Sequence, residues 1–453
     1  MAGRFHLVTL GCPKNVVDSD KIAAGLGADG LTPTDDVEQA DVVVVNTCAF
    51  IEEARRESID TILALADLRR DGARLVVTGC LAERYGHDLA EALPEADAVV
   101  GFAGAGAIAE VTLGPTRAGS TGPGTANPLG VRDLLELPRA APTAPWACLK
   151  IAEGCDRACA FCAIPSFRGK QRSRAPDAIV REARELVEGG VRELVLVAQD
   201  LAWYGRDVGE PGALAPLLRR LDAELSGAGL ARVRLLYLYP SEVKDPLVAT
   251  MLEVPTVVPY FDLSLQHPSR SLLARMARWG SGDRFLHTIS DIRDREPRAA
   301  FRSSFIVGFP GETEADHDRL LDFLDDAALD WAGFFAFSPE DGTPASTLGD
   351  RVDVALVGER IRECDERQST ITRATRDALC SSGEVLEVLI DAVVDGRAVG
   401  RTHREAPEID GVVHVESGDA PVPRPGSLVD AVATGAAGPD LTVRPVLAVR
   451  GIR

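Results

Sequence analysis

The sequence predicts an α/β protein in three parts: an N-terminal parallel α/β domain, a central barrel of six βα repeats, complete or partial, and a small C-terminal all-β barrel. Three observations predict it. Short, nearly continuous apolar runs alternate with helical stretches over the first 115 residues or so. Six further strand-like runs alternate with helical segments between residue 146 and about 378. Beyond about 382 the runs become short and β-like, separated by Gly, Pro and Asp.

In the first part HLVTL (6–10), DVVVVN (41–46) and RLVVTG (74–79) fit strands buried on both faces, and EEARRESIDTILALADLRR (52–70) reads as a helix between two of them. This domain spans 1–114. The segment GPTRAGSTGPGTANPLG (114–130) breaks both periodicities, so 115–143 reads as a linker or mobile excursion. The barrel domain, 144–380, has strands at CLKIAE (148–153), ELVLVAQD (193–200), RVRLLYLY (232–239), FDLSLQH (261–267), FRSSFIVGF (301–309) and AGFFAFS (332–338). In such a barrel, substrates and cofactors belong at the C-terminal ends of the strands. A polar helix around 354–378 leads to the last domain, 381–453, with the runs EVLEVLID, GVVHVE and SLVDAVAT.

The chain has 453 residues, 45% of them hydrophobic, and a net charge of −20. Nonspecific attraction to nucleic acid is therefore disfavoured, and a basic partner would be drawn in. MAGRFHLVTLGC lacks the apolar core of a signal peptide, and no apolar run is long enough for a membrane span, so a cytoplasmic location is expected. Nine cysteines in a reducing compartment point to metal ligands or catalytic thiols rather than disulfides.

Cys155, Cys159 and Cys162 form a CxxxCxxC run directly after the first barrel strand. With no second CxxC and no HxxxH, a closed zinc site is disfavoured; three thiolates with an open coordination position suit an iron–sulfur cluster that binds something else. A zinc site or chance spacing is the plainer alternative. Cys12, Cys48 and Cys80 lie far apart in sequence, yet each follows an apolar run: LVTLGC, VVVVNTC, LVVTGC. Parallel strands end on one edge, so the three thiols converge. Gly11 and Gly79 permit tight turns, and helix N-termini at that edge would lower the thiol pKa values. The plainer reading is small buried cysteines packing against helices. Cys148, Cys364 and Cys380 fit that structural role, and the seven histidines form no ligand spacing. His267 ends a strand in LQHPS, within reach of substrate or simply satisfied there. RGKQRSR (168–174) either steers an acidic group or enters a helix in solvent.

The two triads together resemble the methylthiotransferases, radical S-adenosylmethionine (SAM) enzymes with a second cluster in an N-terminal domain. The motifs are LGCPKNVVDSD (10–20), NTCAFIEEA (46–54), TGCLAERY (78–85), EGCDRACAFCAIPSFRGKQRSR (153–174), SSFIVGFPGETEADH (303–317) and FSPEDGTPAS (337–346). The resemblance implies two 4Fe–4S clusters, on Cys12, Cys48 and Cys80 and on Cys155, Cys159 and Cys162, with SAM on the second. It implies a (β/α)6 partial TIM barrel and a C-terminal TRAM-like domain. It also implies an electron donor such as flavodoxin or ferredoxin. Phe161 matches the family's aromatic before the last cysteine. Gly308 and Glu312 lie in FIVGFPGE, which resembles the family's adenine-contacting strand; Gln199 and Asp200 end the second barrel strand on the same edge, and Arg302 could meet the methionine carboxylate of SAM, with turn formation, capping or surface charge the bland alternative for each. Gly11-Cys12-Pro13-Lys14-Asn15 and SPEDGT (338–343) resemble the branch that modifies an aspartate of ribosomal protein uS12, free or in the small subunit. The other branch modifies tRNA adenosines and usually reads GCQMN. Residues 384–453 hold eleven acidic and seven basic side chains, a net charge of −4, which suits a basic protein better than tRNA as partner. A noncatalytic metal-binding ribosome or RNA adaptor is the alternative of another class.

Overall fold

The computed structural model describes residues 3–105, 108 and 133–446. Residues 115–132 of the segment read as a linker lie outside them. The N-terminal sheet is fully parallel, ordered β2–β1–β3–β4–β5. Its strands are β1 (Arg4–Thr9), β2 (Thr32–Pro33), β3 (Val42–Thr47), β4 (Arg74–Gly79) and β5 (Ala98–Val99). Every residue of β3 is buried, as its unbroken VVVV requires with helices on both faces. β2 and β5, two residues each, carry no pattern long enough to read in advance.

The central strands are β6 (Trp146–Lys150), β9 (Glu193–Val197), β10 (Arg232–Leu235), β11 (Tyr260–Gln266), β12 (Ala300–Val307) and β13 (Trp331–Ala336). They form two parallel three-stranded sheets, β10–β9–β6 and β11–β12–β13. Parallel bridges Val233–Val257 and Leu238–Leu263 join the two. Among the described residues nothing pairs β6 with β13, so the barrel is partial. The run read as one strand over 148–153 breaks at Ile151, and a short hairpin of β7 (Ala152–Glu153) with β8 (Arg172–Ser173) follows.

Residues 133–143 are not a free tether. Leu134 and Leu135 are buried, and the Leu135 carbonyl accepts a 2.6 Å hydrogen bond from Lys21 Nζ. Arg139 pairs with Asp20 and with the Cys148 carbonyl.

A long helix, Val354–Ser382, capped by the Asp353 carboxylate and ended by Gly383 in the left-handed region, leads to the C-terminal domain. That domain is a closed barrel, β14–β15–β16–β18–β17, of strands Val385–Val394, Arg397–Arg401, Val413–Val415, Leu428–Ala437 and Asp440–Pro445. It meets the central barrel at the first residues of the strands. Arg232 donates to the Arg401 and Glu387 carbonyls, Tyr260 to Asp410, and Trp331 Nε1 to the Arg404 carbonyl. At the heart of this contact Glu193 pairs with Arg234 at 2.7 Å and with Arg401 at 3.0 Å, all three fully buried.

Burial alone would raise the Glu193 carboxyl, but Arg234 and Arg401 outweigh it and hold it down at about 2. Its contribution to stability is therefore complete above pH 4.5 and lost as pH falls toward about 2. Glu193→Ala leaves two buried guanidinium groups uncompensated. It is expected to cost about 3–5 kcal/mol in denaturant unfolding near neutral pH and to flatten the acid limb of the stability curve.

Candidate active site between two cysteine triads

Cys12, Cys48 and Cys80 follow β1, β3 and β4, three adjacent strands, and so stand on one sheet edge. Cys12 caps the helix α1 (Pro13–Ala28) and Cys80 opens α3 (Cys80–Ala92). Cys48 lies in the loop before α2 (Glu52–Leu68), where Ser58 Oγ accepts from its N–H at 3.1 Å and donates to its carbonyl at 3.0 Å. Two turns need glycine. Gly11 has φ +92° and a Cβ there would meet Cys48 Sγ at 2.9 Å; Gly79 has φ +91° and a Cβ would meet Asn46 Oδ1 at 2.3 Å.

One buried carboxamide ties the three strand ends together. Asn15 Nδ2 donates to the Leu10 carbonyl at 2.8 Å and the Thr47 carbonyl at 2.9 Å, and Asn15 Oδ1 accepts from Cys80 Sγ at 3.8 Å. Arg168 arrives from the other domain. It ends the short helix Ile164–Arg168 just past the barrel cysteines, and its guanidinium reaches Cys80 Sγ at 3.1 Å, Asn15 Oδ1 at 2.7 Å and Glu153 at 2.9 Å. Lys150 pairs with Asp18 and Glu153, so the contact is a network of both signs. From outside, Glu340, in the loop after β13, clamps Arg55 of α2 and Arg84 of α3.

The helix-terminus argument predicts lowered pKa values for all three thiols, and the structure corrects it at two. Burial pushes Cys48 up to about 12 and also raises Cys80, although Arg168 opposes it at both. At Cys12 burial is outweighed by Lys14, Arg168 and two backbone N–H groups, and the thiol is lowered. Arg168 is thus the cation felt by all three sulfurs.

The second triad sits on the loop after β7. Cys155 N–H donates to the Gly169 carbonyl at 3.1 Å and Cys162 N–H to the Cys159 carbonyl at 3.1 Å. Burial raises Cys155 to about 11 and Cys162 to about 12. Sulfur-directed donors surround them: the Arg157 N–H lies 3.4 Å from Cys155 Sγ and Arg278 Nη1 3.5 Å from Cys159 Sγ. Arg157 lies 3.9 Å from the Trp203 and Tyr239 rings and pairs with Asp200 at 2.7 Å. All-sulfur donor sets ringed by N–H groups fit iron–sulfur clusters, whose properties depend on hydrogen bonds to sulfur. Among the described residues no group of three His, Cys, Asp or Glu side chains is placed to hold a lone metal ion.

Phe161 is half-buried against the barrel core. Gln199 Nε2 donates to Glu153 at 2.6 Å. Glu312 accepts from the Gly308 N–H at 2.7 Å and pairs with Arg360 at 2.8 Å, ordering the turn after β12. Arg302 pairs with Asp262 at 3.2 Å and Asp410 at 3.4 Å. His267 is buried, pushed down to about 3 by that burial, and accepts from the Ser269 N–H at 3.0 Å. Cys148 and Cys364 are buried in apolar clusters, and Cys380 packs against the core of the C-terminal barrel. In 168–174, Arg168 and Arg174 are buried and Arg172 is exposed.

Sequence reasoning missed Asn15, Arg157, Arg278 and Lys14 as parts of the site, and left Arg168 undecided. Lys14 stands in the GCPKN motif. It is buried, and its ammonium lies 3.4 Å from the centroid of the Tyr237 ring, beyond β10. For Lys14, Asn15, Arg157 and Arg168 the one legible signal was closeness in sequence to the cysteines; Arg278, 119 residues from Cys159, had none.

Residues 4–101 match the family described as Uncharacterized protein family UPF0004, 149–324 the Radical SAM superfamily and 383–446 the TRAM domain. The chain is 42% identical over 480 residues to the "Ribosomal protein uS12 methylthiotransferase RimO" of Kineococcus radiotolerans, covering 97% of each. It is 43% identical to the protein of that name from Salinispora tropica, covering 98% of this chain and 95% of that one. Among solved structures it resembles the radical S-adenosylmethionine methyltransferase TsrM from Kitasatospora setae, with TM-score 0.53 and 15% identity over 76% of this chain and 77% of that one, a likeness of fold.

Arg168→Lys keeps the charge but cannot span Cys80, Asn15 and Glu153 at once. It is expected to lower stability by about 1.5–3 kcal/mol in denaturant unfolding and to speed alkylation of Cys80 in the metal-free chain.

Proposed function

The chain belongs to the RimO family of radical SAM methylthiotransferases, and on that premise we propose that it adds a methylthio group to the β-carbon of an aspartate of ribosomal protein uS12. The observation that carries this reading is the pair of three-thiol sets on facing domains, linked through Arg168. Cys155, Cys159 and Cys162 would hold one 4Fe–4S cluster, with SAM, and Cys12, Cys48 and Cys80 the other. When bound, these groups supply the electron that cleaves SAM and the sulfur that is transferred.

The protein's own part is placement, charge and dryness. Arg168 keeps a positive charge against the N-terminal sulfurs, and Arg157 and Arg278 direct N–H groups at the barrel sulfurs. Phe161, Gln199 and Gly308 stand at the cysteine end of the barrel and are our choice for SAM contact. Glu312 acts by ordering Gly308, and Arg302 from inside the barrel, beside Asp262. A one-electron donor of the flavodoxin or ferredoxin class would reduce the barrel cluster, and the reaction belongs in the cytoplasm. No helix among the described residues is long and apolar enough to cross a membrane.

The acidic C-terminal barrel favours uS12 over tRNA. It docks on the strand-start end of the central barrel, away from the cysteine loop, so its charge acts on encounter and orientation. The test is mass spectrometry of uS12 from cells with and without the gene, beside an assay offering reconstituted enzyme both uS12 and tRNA. The expected result is one methylthio group on uS12 only when the gene is present, and none on tRNA. Cys48→Ala is expected to abolish the modification and to reduce iron from about eight to about four atoms per chain.

A further inference from the structure

We propose that Lys14 receives the carboxylate of the target aspartate and so selects an acidic side chain over an uncharged one. The inference deepens the function proposed above and rests on it.

Lys14 is 7% exposed, and a buried ammonium normally has an anion beside it. The neighbouring cations of the contact between the N-terminal domain and the barrel obey that rule. Lys21 faces Glu182 at 3.5 Å, Lys150 faces Glu153 at 2.8 Å and Arg168 faces Glu153 at 2.9 Å. Arg139 pairs with Asp20, and inside the barrel Arg302 pairs with Asp262 at 3.2 Å. Lys14 makes no ion pair with a carboxylate and no hydrogen bond among the described residues, and the acidic group that feels its charge is the Cys12 thiol. Its ammonium rests on the face of Tyr237, which supports a cation from one side and leaves its N–H donors unspent.

The support is itself held in place. Tyr237 is a non-glycine residue with φ +62°, a conformation kept only where the surroundings enforce it. Its N–H donates to Asp262 Oδ2 at 3.0 Å, and Asp262 is fixed in turn by Arg302. The ring belongs to the barrel, and the lysine lies two residues past Cys12. The ammonium therefore stands where the N-terminal thiols face the barrel. An aspartate carboxylate is bonded directly to the β-carbon. A cation that fixes the carboxylate also fixes the carbon to be modified, one bond from the held group. An asparagine or a nucleobase offers no such charge.

The test uses the cluster-reconstituted full chain with two probes: uS12, and uS12 with its target aspartate replaced by asparagine. Wild type is expected to bind the aspartate form about 10- to 100-fold more tightly, the size of a charge-assisted hydrogen bond. Lys14→Met is expected to erase that preference at unchanged iron content, and Lys14→Arg to restore part of it. The assignment is overturned if Lys14→Met retains the preference, if wild type shows none, or if Lys14→Met loses the iron of the Cys12 triad. If wild type cleaves SAM but neither binds nor modifies uS12, the function reading fails and takes this assignment with it. A surviving aspartate preference in Lys14→Met sinks the assignment alone.

Discussion

Arg168 leaves the loop of the barrel cysteines and ends, buried, among the sulfurs of the other domain. A guanidinium has five donors in one plane, and here they meet a sulfur, a carboxamide and carboxylates from both sides of the contact. Stripping that charge of water is costly, so the surrounding geometry has to be close to ideal; Glu153, Asp18 and Lys150 supply the balance. The two thiol sets are consequently not free to drift apart. A movement that separated the domains would leave a positive charge and two acids unpaired in an apolar setting.

The same principle governs the other end of the barrel. Where a complete barrel fills its interior with branched aliphatic side chains, this one accepts Arg234, Arg302, Asp262 and Tyr260, and the C-terminal domain closes over them with Arg401 and Asp410. Burial is the leading influence on Asp410 and raises it to about 6, despite Arg302 and the Tyr260 hydroxyl. Polar links then run from Asp410 through Arg302 and Asp262 to Tyr237 and Lys14. The C-terminal domain thus bears on the placement of residues near Cys12 through charge as well as through packing.

Much of the architecture was readable in advance because buried parallel strands and the cysteines that follow them are local signals. LVTLGC, VVVVNTC and LVVTGC each announce a strand and a thiol at its end, and parallel pairing does the rest. What escaped is what depends on contacts across long sequence separations. Asn15 became important only when β1 and β3 lay side by side, and Arg168 only when residues 153 places apart met. The basic run 168–174 offered no way to tell which arginines would be buried, since burial was decided by acids outside the run, Asp18 and Glu153 for Arg168 and Glu182 for Arg174. Thiol acidity was misjudged for a related reason: a helix terminus is visible in sequence, whereas the depth of burial that opposes it is not.

Glu340 joins Arg55 across 285 positions of the chain and reaches Arg84 as well, closing the outer wall of the first thiol set from the far end of the barrel. Glu340 lies three quarters of the way along the chain, so a polypeptide emerging amino end first fastens α2 and α3 in this way only late in its synthesis.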